Sequence, residues 1–387
     1  MYYNHARLVL RTLSLKILRM GDSLSNPVLR SEEQKLAQIV VKAKIKPCVN
    51  YAMIYSFKRE DYFLMIDILM ATYNGEKYLR EQIDSILEQS YTDFRLLISD
   101  DCSTDKTRNI LNEYVEKDNR VVVFLQNKNL GVVKNFEYLM NKVESEYFMF
   151  SDQDDFWYKD KIKKSLKRIE EMDCDLVYSD LEVVNQNLDI IYSSYWKLKG
   201  FYKKIKKYNN FESLYLNNFV TGSTMLVKSK WIEKILPLPE KSKYILHDYW
   251  TALIVSRFGK MAYIDEPLVK YRQHIKNRIG SQRKSDQIND FEEMRDLFID
   301  VKKDHFKTFM SRAEDFDDEN LKNLDKIAYQ YFYDMKNVKN INIKNSTLFW
   351  KLYKYEEFSY NLQNYLILNM PMFAKFLFSI KKGLKRK

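Results

Sequence analysis

Glycine is scarce in this sequence, at 8 of 387 residues. Little of the chain can therefore act as flexible linker. Cysteine is scarcer: Cys48, Cys102 and Cys174 are odd in number and far apart. No Cys-x-x-Cys occurs, and no Cys/His pair has zinc-like spacing. A structural zinc site and a disulfide framework are excluded, and a reduced, cytoplasmic setting is the simplest reading. No stretch offers 18 uncharged apolar residues, so no transmembrane helix is predicted. The basic N-terminus is broken by Arg7, Arg11, Lys16 and Arg19 and lacks the apolar core of a signal peptide. There is no internal repeat and no low-complexity tract.

What is present favours a large folded body. Hydrophobic residues make up 45% of the chain and aromatics 15%, enough for a sizeable core in one large domain or two ordinary ones. The formal net charge is +11. That balance suits an anionic partner: nucleic acid, acidic lipid or a phosphorylated small molecule.

Three regions follow one another. Residues 1–64 are basic and poorly patterned, and read either as an extension without stable order or as a gene-model artefact with Met65 as the start. Residues 65–284 form the patterned domain, and 285–387 a helical C-terminal region with a basic tail. In the middle region apolar strands alternate with amphipathic helices. Strands are expected at Ile66–Ala71, Phe94–Ser99, Val121–Gln126, Tyr147–Ser151, Asp175–Ser179, Thr221–Val227 and Lys260–Ile264. Helices are expected at Glu76–Gln89, from a Thr104 cap through Leu111, and at Val132–Val143, Lys159–Glu171 and His247–Arg257. Lys197–Lys207, basic and aromatic, reads as a loop or mobile segment. This alternation predicts an α/β fold, a mostly parallel, Rossmann-like sheet flanked by helices.

Ligands of open α/β sheets bind outside the carboxyl ends of the strands. Three polar clusters fall at such ends: Thr72-Tyr73-Asn74-Gly75, Asp100-Asp101-Cys102-Ser103 and Asp152-Gln153-Asp154-Asp155. Taken singly, each reads best as caps and solvated turns, the reading given to Asp105 and Asp160. Together they would repel one another at one sheet edge unless a hard divalent cation and its phosphate ligand cancelled the charge.

These residues carry a family resemblance. IDILMATYNGEKYLREQIDSILEQSYTDFRLLISDDCSTDKT, NLGVVKNFEYLM and FSDQDDFW resemble glycosyltransferase family 2, and HDYWTALI with YRQH resembles its rhamnosyltransferase-like branch. The match runs from about Met65 to Gly280. It implies a GT-A fold and a donor site for a nucleotide-sugar; the first 64 residues and the helical C-terminal extension lie outside it. Thr72, Tyr73 and Asn74 would line the nucleotide pocket, with Asn135 at its rim. Asp100 or Asp101 would accept a hydrogen bond from the base. Asp152 and Asp154 would match the DxD motif, Asp154 holding Mg²⁺ or Mn²⁺ and Asp152 lying near the ribose or the metal, while Asp155 either assists or caps the next helix. Arg272 and His274 would lie by the donor phosphates. Asp248 would be the catalytic base, and His247 either orients it or merely begins a helix. Trp157 reads as core packing.

The resemblance implies inverting transfer: an Asp takes the acceptor proton while a cation neutralises the departing nucleoside diphosphate. The first donor expected is dTDP-L-rhamnose, then a UDP-sugar. The acceptor would be a cell-surface polysaccharide or a lipid-linked oligosaccharide, which places the protein in cell-envelope polysaccharide biosynthesis. Tyr365–Ile380 and the KKGLKRK tail read as either a peripheral contact with the inner face of the cell membrane or a helix packed on its own domain. The competing functions are a nucleic-acid-binding protein and a non-catalytic sugar-nucleotide scaffold. Acidic strand ends argue against nucleic acid, and the joint presence of Asp152, Asp154 and Asp248 argues against a scaffold.

Overall fold

A computed structural model describes residues 65–240, 242, 244–274 and 291–312, with positions 331 and 374. These residues all belong to the unit Phe63–Lys387. The expectations for residues 1–64 and for the basic C-terminal tail lie outside them.

The chain alternates as its apolar pattern dictates. Strand β1 (Ile66–Thr72) leads to α1 (Leu79–Leu87), β2 (Phe94–Asp100), α2 (Thr107–Lys117), β3 (Val121–Leu125), α3 (Val132–Met140) and β4 (Tyr147–Ser151). A short β5 (Phe156–Trp157), α4 (Lys161–Glu171), β6 (Leu176–Val184) and β7 (Ile190–Tyr192) follow. Three short helices come next: α5 (Tyr195–Lys199), α6 (Tyr202–Lys207) and α7 (Phe211–Leu216). After these come β8 (Leu226–Lys228), α8 (Ile232–Ile235), α9 (His247–Phe258), β9 (Met261–Arg272) and α10 (Phe291–Arg312).

The sheet runs β3-β2-β1-β4-β8-β6-β9-β5, with β7 added on β6. Strands β3, β2, β1 and β4 are parallel neighbours, as are β6 and β9, while β8 lies antiparallel between β4 and β6. The expected mostly parallel α/β sheet is therefore present. Side chains alternate between its faces. Ile66, Ile68 and Met70 of β1 join one apolar layer with Leu79, Ile83 and Ile86 of α1 and Ile162, Leu166 and Ile169 of α4. Leu69 joins the other, with Phe136 and Leu139 of α3 and Trp250 and Leu253 of α9. Each fully buried Leu, Ile or Phe contributes about 1.5–3 kcal/mol, so the two layers hold the strand ends rigidly in place.

Several expectations need correction. Thr221–Val227 is not one strand. A 3₁₀ turn at Gly222–Thr224 precedes the three residues of β8, because this segment has to bend around the α9 N-terminus. Lys197–Lys207 is not a loop, but falls almost entirely within α5 and α6. Trp196, Phe201 and Ile205 bury an apolar face beneath the lysines, and Ser194 caps α5 by accepting from the Lys197 N–H. Thr104 does not cap α2. The Asp105 carboxylate accepts from the Thr107 and Glu76 N–H groups instead, at 2.9 and 3.2 Å, in keeping with its reading as a cap. Strands β6 and β9 extend to Val184 and Arg272, well past the expected Ser179 and Ile264.

Candidate active site

Because β1, β2 and β4 are parallel, their carboxyl ends share one edge of the sheet. Thr72 is in register with Asp100, and Met70 with Ser151. The first two polar clusters are stitched together across this edge. Asn74, at φ +48°, donates its N–H to Ser103 Oγ and accepts the Thr104 N–H on Oδ1. The Gly75 N–H donates to Thr107 Oγ1 at 2.9 Å.

The two neighbouring aspartates divide the work differently. Asp100 Oδ2 accepts from Arg108 Nε at 2.7 Å and from the Ser103 N–H at 3.1 Å, while its buried Oδ1 has no hydrogen-bond partner. Asp101 uses both oxygens to clamp the turn before α3, accepting from the Leu130 and Gly131 N–H groups at 2.6 and 2.9 Å. Asn135 is buried beneath them and donates to the Ser99 carbonyl at 2.9 Å. Tyr73 stands exposed at the rim.

The third cluster turns sharply after β4. His274 Nε2 lies 2.7 Å from Asp154 Oδ2, so the end of β9 meets the acidic loop directly. Arg272 reaches the same loop from a fully buried position. Its Nε donates to the Asp154 carbonyl at 2.8 Å, its Nη2 pairs with Glu81 at 2.5 Å, and its Nη1 donates to the Gln186 carbonyl. The guanidinium also lies 4.5 Å from the Tyr78 ring centre. These contacts commit Arg272 to holding protein groups around Asp154. Asp155 is buried and accepts the Arg272 N–H at 3.2 Å. Burial and the charges of Asp152 and Asp154 push its carboxyl well above the usual range.

Asp248 reaches this edge from the first turn of α9, where the helix N-terminus favours a carboxylate. Its Oδ2 accepts the Gly222 N–H at 3.1 Å and its Oδ1 the Tyr249 N–H at 2.7 Å. A Cβ at Gly222 would lie 2.8 Å from Asp248 Cβ, so the 3₁₀ turn can approach only through glycine. His247 faces away from the cleft. Its ring stacks on Phe136 at 3.7 Å and meets Phe150 edge-on at 4.7 Å, which anchors the helix start in the core.

Burial, then Asp154, then Asp248 push the Asp152 carboxyl up to about 7. Among the described residues no three His, Cys, Asp or Glu side chains form a metal-holding cluster. Magnesium-type ions, however, usually take one or two carboxylates and complete their shell with substrate phosphates and water. Asp152 and Asp154 fit that demand as the one or two carboxylates, with His274 hydrogen-bonded to Asp154.

The structure thus gathers Thr72, Tyr73, Asn74, Asp100, Asp101, Asn135, Asp152, Asp154, Asp248, Arg272 and His274 around one sheet edge. Trp157 is buried, with the Lys161 amine 3.2 Å from its ring centre, and belongs to the core. Gln153, Gly222 and Glu81 take part without having been foreseen. For Gln153 a signal existed, a neutral amide between two acids in a strand-end loop. Nothing in the sequence marks Gly222 as the neighbour of a residue 26 positions later.

Residues 67–236 match the family described as Glycosyl transferase family 2. The chain is 34% identical over 223 residues to the dTDP-rhamnosyl transferase RfbG of Shigella flexneri, covering 55% of this chain and 74% of that one. It is 30% identical over 217 residues to the uncharacterized glycosyltransferase MJ1057 of Methanocaldococcus jannaschii, covering 55% and 72%. Among solved structures it resembles the mannosyltransferase PcManGT from Pyrobaculum calidifontis, in complex with GDP-Man and Mn²⁺. That likeness has 16% identity and a TM-score of 0.49, and covers 83% of this chain and 80% of that one.

Proposed function

Since the chain belongs to glycosyltransferase family 2, we propose that it transfers a sugar from a nucleotide donor to a saccharide hydroxyl with inversion at the anomeric carbon. The observation that carries this reading is the placement of Asp152 and Asp154 in the loop after β4, with His274 against Asp154, while Asp248 at the start of α9 is hydrogen-bonded to the turn before β8, the strand that pairs with β4. Two of these acids belong to the donor and one to the acceptor.

Thr72, Tyr73, Asn74 and Asn135 frame the nucleotide, and Asp100 and Asp101 stand where its base enters. Asp152 and Asp154, with His274 beside Asp154, would hold Mg²⁺ or Mn²⁺ against the donor's diphosphate. When bound, the cation supplies neutralising charge for the leaving nucleoside diphosphate. Arg272 acts through Asp154, fixing the loop rather than the phosphates. Asp248 takes the proton from the acceptor hydroxyl as the new glycosidic bond forms. The Gly222 and Tyr249 N–H groups hold its carboxylate in one orientation before the acceptor arrives. A single base on the acceptor side suffices, in contrast to the paired carboxylates of a retaining glycosidase.

The similarity to a dTDP-rhamnosyl transferase makes dTDP-L-rhamnose the first donor to try, ahead of UDP-sugars. The acceptor class proposed is a cell-surface polysaccharide or a lipid-linked oligosaccharide. Among the described residues no helix is long and apolar enough to cross a membrane. Asp248→Asn tests the mechanism. Transfer should fall by about 10²–10⁴-fold, the usual worth of a general base, while donor affinity stays within about twofold. NMR of the wild-type product should show the inverted anomer. Near-normal transfer by the variant, or a retained anomer, overturns the reading.

A further inference from the structure

We infer that Gln153 is a positioning residue that couples the nucleotide end of the site to the cation end, through a two-point amide clasp on the backbone of Tyr73. The inference rests on the donor-site reading above.

Gln153 lies between the two carboxylates assigned to the cation, but its side chain turns the other way. Its Oε1 accepts from the Tyr73 N–H at 2.9 Å and from Thr72 Oγ1 at 2.8 Å. Its Nε2 donates to the Tyr73 carbonyl at 3.2 Å. One side-chain amide thus pairs with both backbone groups of Tyr73, as a neighbouring strand would. This happens where the true pairing stops, since the β1–β4 register ends at Met70 and Ser151. The clasp carries the β1–β4 connection past the last backbone pair and into the two functional loops.

The surroundings are built around this amide. A Cβ on Gly75 would lie 2.4 Å from Gln153 Oε1, so the loop closes over the clasp only because residue 75 has no side chain. On the far side Arg272 Nε holds the Asp154 carbonyl. The loop carrying Asp152 and Asp154 is therefore pinned to the nucleotide loop by Gln153 and to β9 by Arg272. A glutamate could accept two of the three bonds, but it could not donate the third, and it would add a fourth negative charge. An asparagine is one methylene too short. Movement of Thr72 and Tyr73 on nucleotide binding is thus transmitted to the carboxylates, and cation binding is transmitted back, since coupling between two sites is reciprocal.

The test is a binding square. Calorimetry gives the affinity of full-length protein for UDP and for dTDP, each with and without Mn²⁺. For the wild type the cation should tighten nucleotide binding by about tenfold or more, within the usual range of coupling between sites. In Gln153→Met the coupling should fall to about threefold or less, while cation-free nucleotide affinity changes by less than about threefold. Gly75→Ala, which displaces the amide from the opposite side, should lose coupling in the same way and stands in if Gln153→Met does not fold. Coupling unchanged in both variants overturns the inference, as does an equal loss of affinity with and without Mn²⁺, the mark of a purely structural residue. If the wild type itself shows no effect of Mn²⁺ on either nucleotide, the cation assignment fails first and this inference with it.

Discussion

Gly222→Ala is a substitution aimed at one atom. The backbone at Gly222 is not in the left-handed region, so alanine meets no conformational penalty there. The added methyl would sit 2.8 Å from Asp248 Cβ and 3.3 Å from its Oδ2. Carbon–carbon contact is comfortable near 3.5–4.0 Å, so the carboxylate and the turn must separate by about 1 Å. That shift also stretches the 3.1 Å bond from the Gly222 N–H to Oδ2. A misplacement of about 1 Å at a reacting group costs about 10²-fold in rate, and overpacking a buried turn costs about 1–3 kcal/mol of stability. The expected phenotype is a split. Release of nucleoside diphosphate in the presence of acceptor should slow by about 10²-fold, while donor affinity stays within about twofold. The assay is the initial rate of that release, alongside calorimetric donor binding. Wild-type turnover by Gly222→Ala would refute the placement of Asp248 as base. A matching loss of donor affinity would show that the turn serves the donor rather than the acceptor.

Three further expectations follow. Asp152 is raised to about 7 without a cation, so its neutral form dominates below that pH. Cation binding needs the carboxylate, so Mn²⁺ affinity should weaken by up to about tenfold per pH unit below 7 and level off above it, a dependence absent in Asp152→Asn. The sign for stability is opposite. A raised carboxyl binds more protons folded than unfolded between pH 4 and 7, so cation-free wild type should lose stability relative to Asp152→Asn as pH rises through that window. In the core, Phe136→Ala should cost about 3–5 kcal/mol in urea unfolding, because Phe136 stacks on His247 at 3.7 Å and meets Phe150 at 5.3 Å. A cost below about 1 kcal/mol would mean that the α9 start is held by other contacts.

Much of this architecture can be read from the chain, for identifiable reasons. Apart from Asp67 and Arg95, which pair with each other, strands β1, β2 and β4 are apolar runs that stop abruptly at polar clusters, so both their existence and their polar ends are visible. Strands β6 and β9 look too short because their outer halves contain acids. Asp180 is buried in β6, where it accepts from Ser194 Oγ, the Leu181 N–H and the Trp196 N–H, bonds that only the folded chain supplies. Helices α5 and α6 are masked in the sequence by their many lysines, although Trp196, Phe201 and Ile205 pack into the core. The 3₁₀ turn at Gly222 lies in a Thr- and Val-rich stretch that carries a strand signature.

At the site, residue types were legible but partnerships were not. The acids announce themselves through their spacing. That Arg272 serves Asp154 through protein contacts, that His247 packs into the core, and that Gln153 turns towards Tyr73 all depend on contacts between residues 80 to 191 positions apart or on a helix's rotation about its axis.

On the proposed function, this sheet edge binds a nucleotide-sugar with a divalent cation between its diphosphate and Asp152 and Asp154. The most direct measurement is a thermal-shift panel of dTDP-, UDP- and GDP-sugars, each with and without Mn²⁺, on wild type and Asp154→Ala. One donor class should raise the melting temperature of the wild type in a cation-dependent way, with dTDP-L-rhamnose tried first, and Asp154→Ala should lose the cation-dependent part. A wild type that responds to no nucleotide-sugar in the presence of Mn²⁺, or an Asp154→Ala variant that responds as the wild type does, would contradict it.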